Sequence, residues 1–462
     1  MSKRFDVVVV GAGPAGEIVA QRAAAGGLST ALVEKELLGG ECSYWACMPS
    51  KALLRPSEVH RLARAMPGVR ELLAPGGVRA EAVLAWRDQK ASHWDDAGQL
   101  EWAEGAKVSV VRGRGRLAGE RRVQVEGPEG TQLLEAQRAV VLATGSRARV
   151  PEVPGLRDAR PWTNREATAA KRVPRRLLVV GGGAVGVELA QAWRCLGSEV
   201  RLVHRGAHLL ERLEPFASRA VARALTDEGV RLHLGCTLKE VRREGSGEVV
   251  ARLDDGFEVR ADELLLALGR EPATQDLGLE SVGLTPGKPV EVDDSLRARG
   301  VAGGWLYACG DVNGRTLLTH MGKYQAHVLG EVLQGRPARA WADARAVPQV
   351  LFTHPEVASV GLTEAAARKA GHRVRCAEVA LESAAGTGLL GEGAHGHAKW
   401  VVDEERRVLL GVTLVGPGVG ELLHAATVAV AGELPLETLW HAVPAFPTVS
   451  EVWLRLLEAS GL

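Results

Sequence analysis

Two cysteines, Cys42 and Cys47, stand in the run Gly39-Gly40-Glu41-Cys42-Ser43-Tyr44-Trp45-Ala46-Cys47-Met48-Pro49-Ser50-Lys51. With four residues between them they can meet across one tight helical turn, which suits a reversible disulfide. The helix predicted to follow continues through KALLRPSEVHRLARA, with Pro49 tolerated in its first turn. A thiol there feels the positive end of the helix dipole, and Lys51, four residues after Cys47, falls on the same face. Both effects favour thiolate, the nucleophile of disulfide exchange. Two blander readings stay open, a pair of inert buried thiols or half of a zinc site. Nothing histidine-rich and no second cysteine pair accompanies the motif, so no metal centre is expected.

The elements that must position this pair are nucleotide-binding units. FDVVVV reads as a strand buried on both faces, and Gly11-Ala12-Gly13-Pro14-Ala15-Gly16 follows it directly. A helix, EIVAQRAAAGG, and a second parallel strand ending at Glu34 come next. Glycines that admit a pyrophosphate to a helix N-terminus, with an acid for ribose hydroxyls, make a dinucleotide site. A shift of 170 residues reproduces the pattern, placing Gly181, Gly183 and Gly186 under Gly11, Gly13 and Gly16. The same shift puts His204, followed by Arg205, where Glu34 stands. The second site therefore lacks the carboxylate that would repel a 2′-phosphate, which favours NADPH over NADH. For Arg205 alone, a solvated surface cation is an equally good reading.

At 462 residues the chain is long enough for about three domains, at roughly 100 to 200 residues each. Apolar residues make up 46% and charged ones 24%, a globular composition rather than a disordered one. The net charge of +1, with basic pairs scattered, offers no footprint for nucleic acid. Six cysteines are too few for a secreted disulfide scaffold. The N-terminal apolar run is short and breaks into glycines, and no stretch approaches the length of a membrane span. A cytoplasmic protein with no membrane insertion is expected.

Taken together, these residues resemble the class I pyridine nucleotide-disulfide oxidoreductases that include dihydrolipoyl dehydrogenase, glutathione reductase and mercuric reductase. Further motifs carry the resemblance: Ala143-Thr144-Gly145, Gly181 to Glu188, Leu268-Gly269-Arg270, Tyr307-Ala308-Cys309-Gly310-Asp311, and His354-Pro355. It implies an α/β fold of two Rossmann-like dinucleotide-binding domains, for FAD and NAD(P), plus a C-terminal α+β dimerisation domain. The implied order is FAD domain 1–148, NAD(P) domain 149–269, return to the FAD domain 270–345, and interface domain 346–462. The 346–462 segment independently alternates strand-like runs (AKWVVDEERRVLLGVTLVG) with a helix-like one (GELLHAATVAVAGEL).

By the same resemblance the first unit binds FAD, and Asp311 after Gly310 closes the site on the ribityl chain. Thr144 and Gly145 mark the crossing into the nicotinamide domain, and Gly269 and Arg270 join the cofactor-binding residues. Gly40, Gly115 and Thr319 join the FAD-contacting set, the last two through backbone atoms. Lys51 is implied to lie near the flavin and to pair with Glu188. A homodimer and a small-molecule electron acceptor are implied as partners.

The chain departs from the family at its C-terminal motif, where a histidine normally acts as acid and base on the substrate thiol. Here the run is Phe446-Pro447-Thr448-Val449-Ser450-Glu451, so the base position holds a phenylalanine and Glu451 has no histidine to orient. His441, five residues upstream of Phe446, is a possible stand-in, though a surface or packed histidine fits that position better. The last residues, EVWLRLLEASGL, hold no cysteine pair of the mercuric reductase kind. The reading is an FAD-dependent NAD(P)H oxidoreductase that passes hydride through flavin to Cys42 and Cys47 and on to a disulfide-type acceptor. Two alternatives are a quinone or metal-ion reductase using the flavin directly, and a non-catalytic nucleotide-sensing flavoprotein.

Overall fold

FDVVVV belongs to the strand Lys3–Val10, whose last four residues are buried as a strand covered on both faces must be. The computed structural model describes residues 3–461. Strands Thr30–Glu34 and Ser109–Arg112 continue the sheet in parallel on one side, and Gly130–Leu142 and Leu306–Ala308 on the other. Arg122–Gly127 and Arg114–Leu117 extend it antiparallel. Side chains alternate between faces along a strand, so Val7 and Val9 pack with Val19 and Ala23 of helix Pro14–Ala25 and with Leu329 of helix Thr319–Leu333. Val8 and Val10 pack on the opposite face with Val33, Val123 and Leu134. Each fully buried valine contributes about 1.5 to 3 kcal/mol of apolar burial.

A second parallel sheet carries the repeat, in the order Arg231–Leu234, Glu199–His204, Arg176–Val180, Glu263–Leu266. Beside it in sequence, Leu238–Arg243, Val249–Leu253 and Glu258–Ala261 form an antiparallel three-stranded sheet. The C-terminal segment builds a five-stranded antiparallel sheet in the order Pro348–Leu351, Glu356–Gly361, Val408–Gly416, His397–Asp403, Val374–Ala380. Helices Val419–Ala431 and Val452–Ala459 supply Leu423, Ala426, Leu456 and Leu457 to its core around Trp400. This is a mixed α/β architecture with two dinucleotide-type sheets and a C-terminal α+β part.

The chain divides into two units, one of residues 1–49, 88–149 and 269–343, the other of 50–87, 150–268 and 344–462. Residues 50–87 belong to the second because Leu53, Leu54, Val83 and Leu84 bury their side chains with Val187 and Trp193. Within this unit a buried lysine ties the nucleotide-type and C-terminal parts. Lys399, only 7% exposed, has its ammonium 3.2 Å from Glu214, 2.7 Å from Glu364 and 3.2 Å from Glu378. Replacing Lys399 with methionine strands Glu214 without a cation, and a loss of about 3 kcal/mol in unfolding free energy is expected by denaturant titration. Lys399 and Arg368 hold the Glu364 carboxyl at about 2, below its ordinary 4.5. Its contribution is therefore complete above pH 4.5 and lost as pH falls toward 2.

Candidate active site

The first glycine turn owes its shape to two close approaches. Gly11 has φ +102°, and a Cβ there would sit 2.5 Å from the Ala143 carbonyl oxygen, while a Cβ on Gly16 would sit 1.9 Å from that of Gly11. Gly13, the residue before helix Pro14–Ala25, has open space where its Cβ would be. Glu34 ends the second strand with Oε2 accepting the Ala12 amide at 2.8 Å and Oε1 accepting the Glu36 amide at 2.8 Å. Gly40 crosses over the turn so tightly that a Cβ would lie 2.8 Å from Gly13 Cα. Gly115 is wedged against Val10 and Val33, where a Cβ would come within 2.9 Å of a valine methyl.

The second turn repeats this geometry position by position. A Cβ at Gly181 would meet the Ala267 carbonyl oxygen at 2.2 Å, one at Gly186 would meet Gly181 at 1.8 Å, and Gly183 is open. His204 takes the place of Glu34 in bonding as well as in sequence, its Nδ1 accepting the Gly182 amide at 3.1 Å. An accepting Nδ1 requires a neutral ring, and burial lowers the pKa of His204 in agreement. Arg205 beside it is exposed.

A polar cluster gathers around Gly310, where a Cβ would lie 3.3 Å from that of Ala15 in the first turn. Thr144 Oγ1 donates to the Ala273 carbonyl at 2.9 Å, holding Gly145 in the left-handed region at φ +69°. Asp311 follows Gly310, and burial pushes its carboxyl up while the Ser146 hydroxyl, 2.5 Å away, counters. Arg270 donates to Ser146 Oγ at 2.6 Å and to its carbonyl at 2.7 Å, and reaches within 3.5 Å of Glu41. Gln325 accepts the Gly310 amide at 2.8 Å. Ser146 and Gln325 escaped the sequence reading because neither belongs to a spaced motif.

Cys42 lies in the short helix Gly40–Tyr44, and Cys47 opens the helix Cys47–Ala65. The two thiols are within hydrogen-bond reach, and that bond to Cys47, followed by burial, raises the pKa of Cys42. Thr319 brings its hydroxyl 3.3 Å from Cys47 Sγ, so here its side chain, not only its backbone, faces the site. Lys323, one turn further on that helix, lowers the pKa of Cys42 and also faces Glu17. Glu17 was not singled out by sequence. Burial pushes its carboxyl up to about 7, and its Oε1 has no partner.

In the second unit Lys51 donates to Glu188 Oε2 at 2.7 Å, and Glu188 Oε1 accepts the Phe352 amide at 2.9 Å. The lysine also lies 4.9 Å from the centre of the Phe352 ring. Its charge is therefore balanced by Glu188. Glu451 is buried, with Oε2 unpartnered and Oε1 3.8 Å from Arg455. Phe446 is 76% exposed and Val443 83%, with Trp440 close to them in sequence at 44%. His441 is exposed at the end of helix Leu436–Trp440.

Two family profiles match this chain. The pyridine nucleotide-disulphide oxidoreductase profile covers residues 5–328, and the dimerisation domain of the same family covers residues 347–456. The chain belongs to the pyridine nucleotide-disulphide oxidoreductase family, and it is an FAD-dependent enzyme of that class, working with a pyridine nucleotide. It is 35% identical to a dihydrolipoyl dehydrogenase of Thermus scotoductus, over 99% of this chain and 97% of the relative. It is 31% identical to a mercuric reductase of Staphylococcus aureus, over 97% of this chain and 81% of the relative. Among solved structures, LpdA from Mycobacterium tuberculosis aligns with a TM-score of 0.84 at 26% identity, over 99% of both chains. The HOCl-induced flavoprotein disulfide reductase RclA from Escherichia coli shares the fold, with a TM-score of 0.85 at 23% identity over 98% of this chain and 99% of that one. Among the described residues no helix is long and apolar enough to cross a membrane.

The residues present fit FAD. The Gly11 and Gly16 contacts leave the helix start at Gly13 open to a pyrophosphate, and each Glu34 oxygen keeps a lone pair for ribose. When bound, FAD supplies the two-electron relay between nicotinamide and thiols.

Proposed function

We propose that this enzyme reduces a small disulfide-type acceptor through Cys42 and Cys47, at the expense of NADPH. The observation that carries the reading is the pair itself, two sulfurs within hydrogen-bond reach where a helix begins, directly after a dinucleotide turn. Two electrons and two protons convert the Cys42–Cys47 disulfide to the dithiol. Cys42, as thiolate, attacks one sulfur of the acceptor disulfide, forming a mixed disulfide and releasing one acceptor thiol. Cys47 then attacks Cys42, releasing the second thiol and restoring the disulfide. Thr319 Oγ1 orients Cys47, and Glu188 holds Lys51 in place.

The proposed assignment gives FAD to residues 1–148 and 270–345, NAD(P) to 149–269 and the subunit interface to 346–462. The first two follow from the paired glycine turns, and the last from the dimerisation-domain match and the exposed Val443 and Phe446. A homodimer is the proposed assembly, and sedimentation as a monomer at micromolar concentration excludes it. A cytoplasmic location is proposed from the cysteine content, six in 462 residues and four of them widely separated, and is checked by cell fractionation.

Anaerobic reduction with NADPH, followed by thiol counting in denaturant, is expected to expose two more thiols than the air-oxidised enzyme shows. No gain refutes the reading. NADPH is favoured because a neutral His204 with Arg205 beside it leaves no carboxylate against a 2′-phosphate. Arg205→Ala is expected to lower kcat/KM for NADPH about tenfold, the value of one charge-assisted bond, and to leave NADH unchanged. A second reading, direct reduction of a quinone or metal ion, is favoured by Phe446 at the base position. Full quinone reduction by a Cys42→Ser/Cys47→Ser variant identifies that route.

A further inference from the structure

We propose that His233, Cys236 and Asp255 form a binding site for a single divalent transition-metal ion of the zinc type, separate from the cysteine pair. One ligand atom from each, a nitrogen, a sulfur and an oxygen, all lie within 4.8 Å of one another. His233 Nε2 is 2.8 Å and Cys236 Sγ 3.3 Å from the same Asp255 oxygen, Oδ2. Tetrahedral zinc, with bonds of about 2.0 to 2.3 Å, separates such ligands by roughly 3.3 to 3.6 Å. Seating an ion therefore asks His233 and Asp255 to part by about half an ångström, and asks His233 Nε2 and Cys236 Sγ, which lie within 4.8 Å of each other, to stand at about 3.6 Å.

The site is braced as a metal site is. Asp255 Oδ1 accepts the Phe257 amide at 2.9 Å, which leaves Oδ2 as the atom aimed at the histidine and cysteine. The His233 ring stacks on Phe257 at 5.1 Å, and Arg201 packs over that same phenylalanine. Thr237, next to Cys236, donates from its amide and its hydroxyl to the two oxygens of Asp254 at 3.0 and 2.8 Å. The hairpin tip carrying Asp255 is thereby locked to the loop carrying Cys236. Such supporting contacts fix ligand orientation and raise metal affinity.

The charges suit a dication. Thiolate and carboxylate neutralise it, neutral imidazole completes three protein ligands, and water takes the fourth position. Binding displaces one proton, from the Cys236 thiol. The mixed nitrogen, sulfur and oxygen set suits zinc better than magnesium or calcium, which prefer oxygen alone. The Cys236 amide donates to the His204 carbonyl at 3.1 Å, so an ion here would brace the strand end proposed to hold the coenzyme ribose.

The test titrates Co²⁺ into the FAD-loaded Cys42→Ser/Cys47→Ser variant, removing competition from the redox pair. One equivalent is expected to bind with a near-ultraviolet thiolate-to-cobalt absorption band. Adding Cys236→Ser is expected to remove that band, and adding Asp255→Asn, on a turn, to raise the Co²⁺ Kd about tenfold or more. Zn²⁺ is expected to displace the cobalt and bleach the band. No band in the parent, or a band that survives Cys236→Ser, overturns the site and leaves a hydrogen-bonded trio only. If Cys236→Ser does not fold, Asp255→Asn decides alone, and an unchanged Kd overturns the proposal.

Discussion

Replacing Cys47 with serine is expected to lower NADPH-dependent disulfide reduction by at least about 10³-fold, because a serine cannot close a disulfide with Cys42. Steady-state reduction of lipoamide and of glutathione disulfide, measured with wild type and variant side by side, checks this. Cys42→Ser is expected to fall as far, and the double variant no further, since two sulfurs that act as one couple do not lose activity additively. Thr319→Val separates positioning from chemistry. It removes the hydroxyl 3.3 Å from Cys47 Sγ while keeping both sulfurs, so activity is expected to fall far less than in either cysteine variant. Equal losses in Cys47→Ser and Thr319→Val would place the defect in the fold of the turn rather than in sulfur exchange.

What the sequence disclosed was whatever repeats at fixed spacing. The two glycine turns are legible because a Cβ on Gly16 or Gly186 would fall about 2 Å from the carbonyl oxygen of Gly11 or Gly181, which leaves no alternative to glycine. The shift of 170 residues aligned Glu34 with His204 only as a contrast, a carboxylate against none; that both side chains accept a backbone amide of the turn, Ala12 in one unit and Gly182 in the other, was not foreseen. Contacts made by distant segments were not legible in that way. Lys51 and Glu188 are 137 positions apart, and only the family resemblance joined them. Ser146 under Asp311, Phe352 against Glu188 and the packing of residues 50–87 depend on how the chain returns on itself, which no local pattern encodes. His233, Cys236 and Asp255 were invisible for the same reason, since a hairpin has to close before they meet.

Restoring a base at the C-terminal motif is expected to accelerate thiol chemistry. The bond to Cys47 and burial raise the pKa of Cys42, and a sulfur that must lose a proton before attacking is slow without an acceptor for it. By the family resemblance Phe446 stands at the position of that acceptor, and phenylalanine holds no proton. Glu451 remains, buried, with Oε2 unpartnered, although burying a carboxylate oxygen without a partner is costly. Phe446→His would give Glu451 an imidazole to orient, and a positioned general base contributes about 10² to 10⁴ in rate. Lipoamide turnover by Phe446→His is therefore expected to rise about 10²-fold, with a pH profile that gains a limb near the ordinary histidine value of about 6.5. Phe446→His combined with Glu451→Gln is expected to lose most of that gain. If Phe446→His leaves lipoamide turnover unchanged while quinone turnover stays high, proton transfer at Cys42 is not the limiting step, and direct reduction becomes the better account of this enzyme.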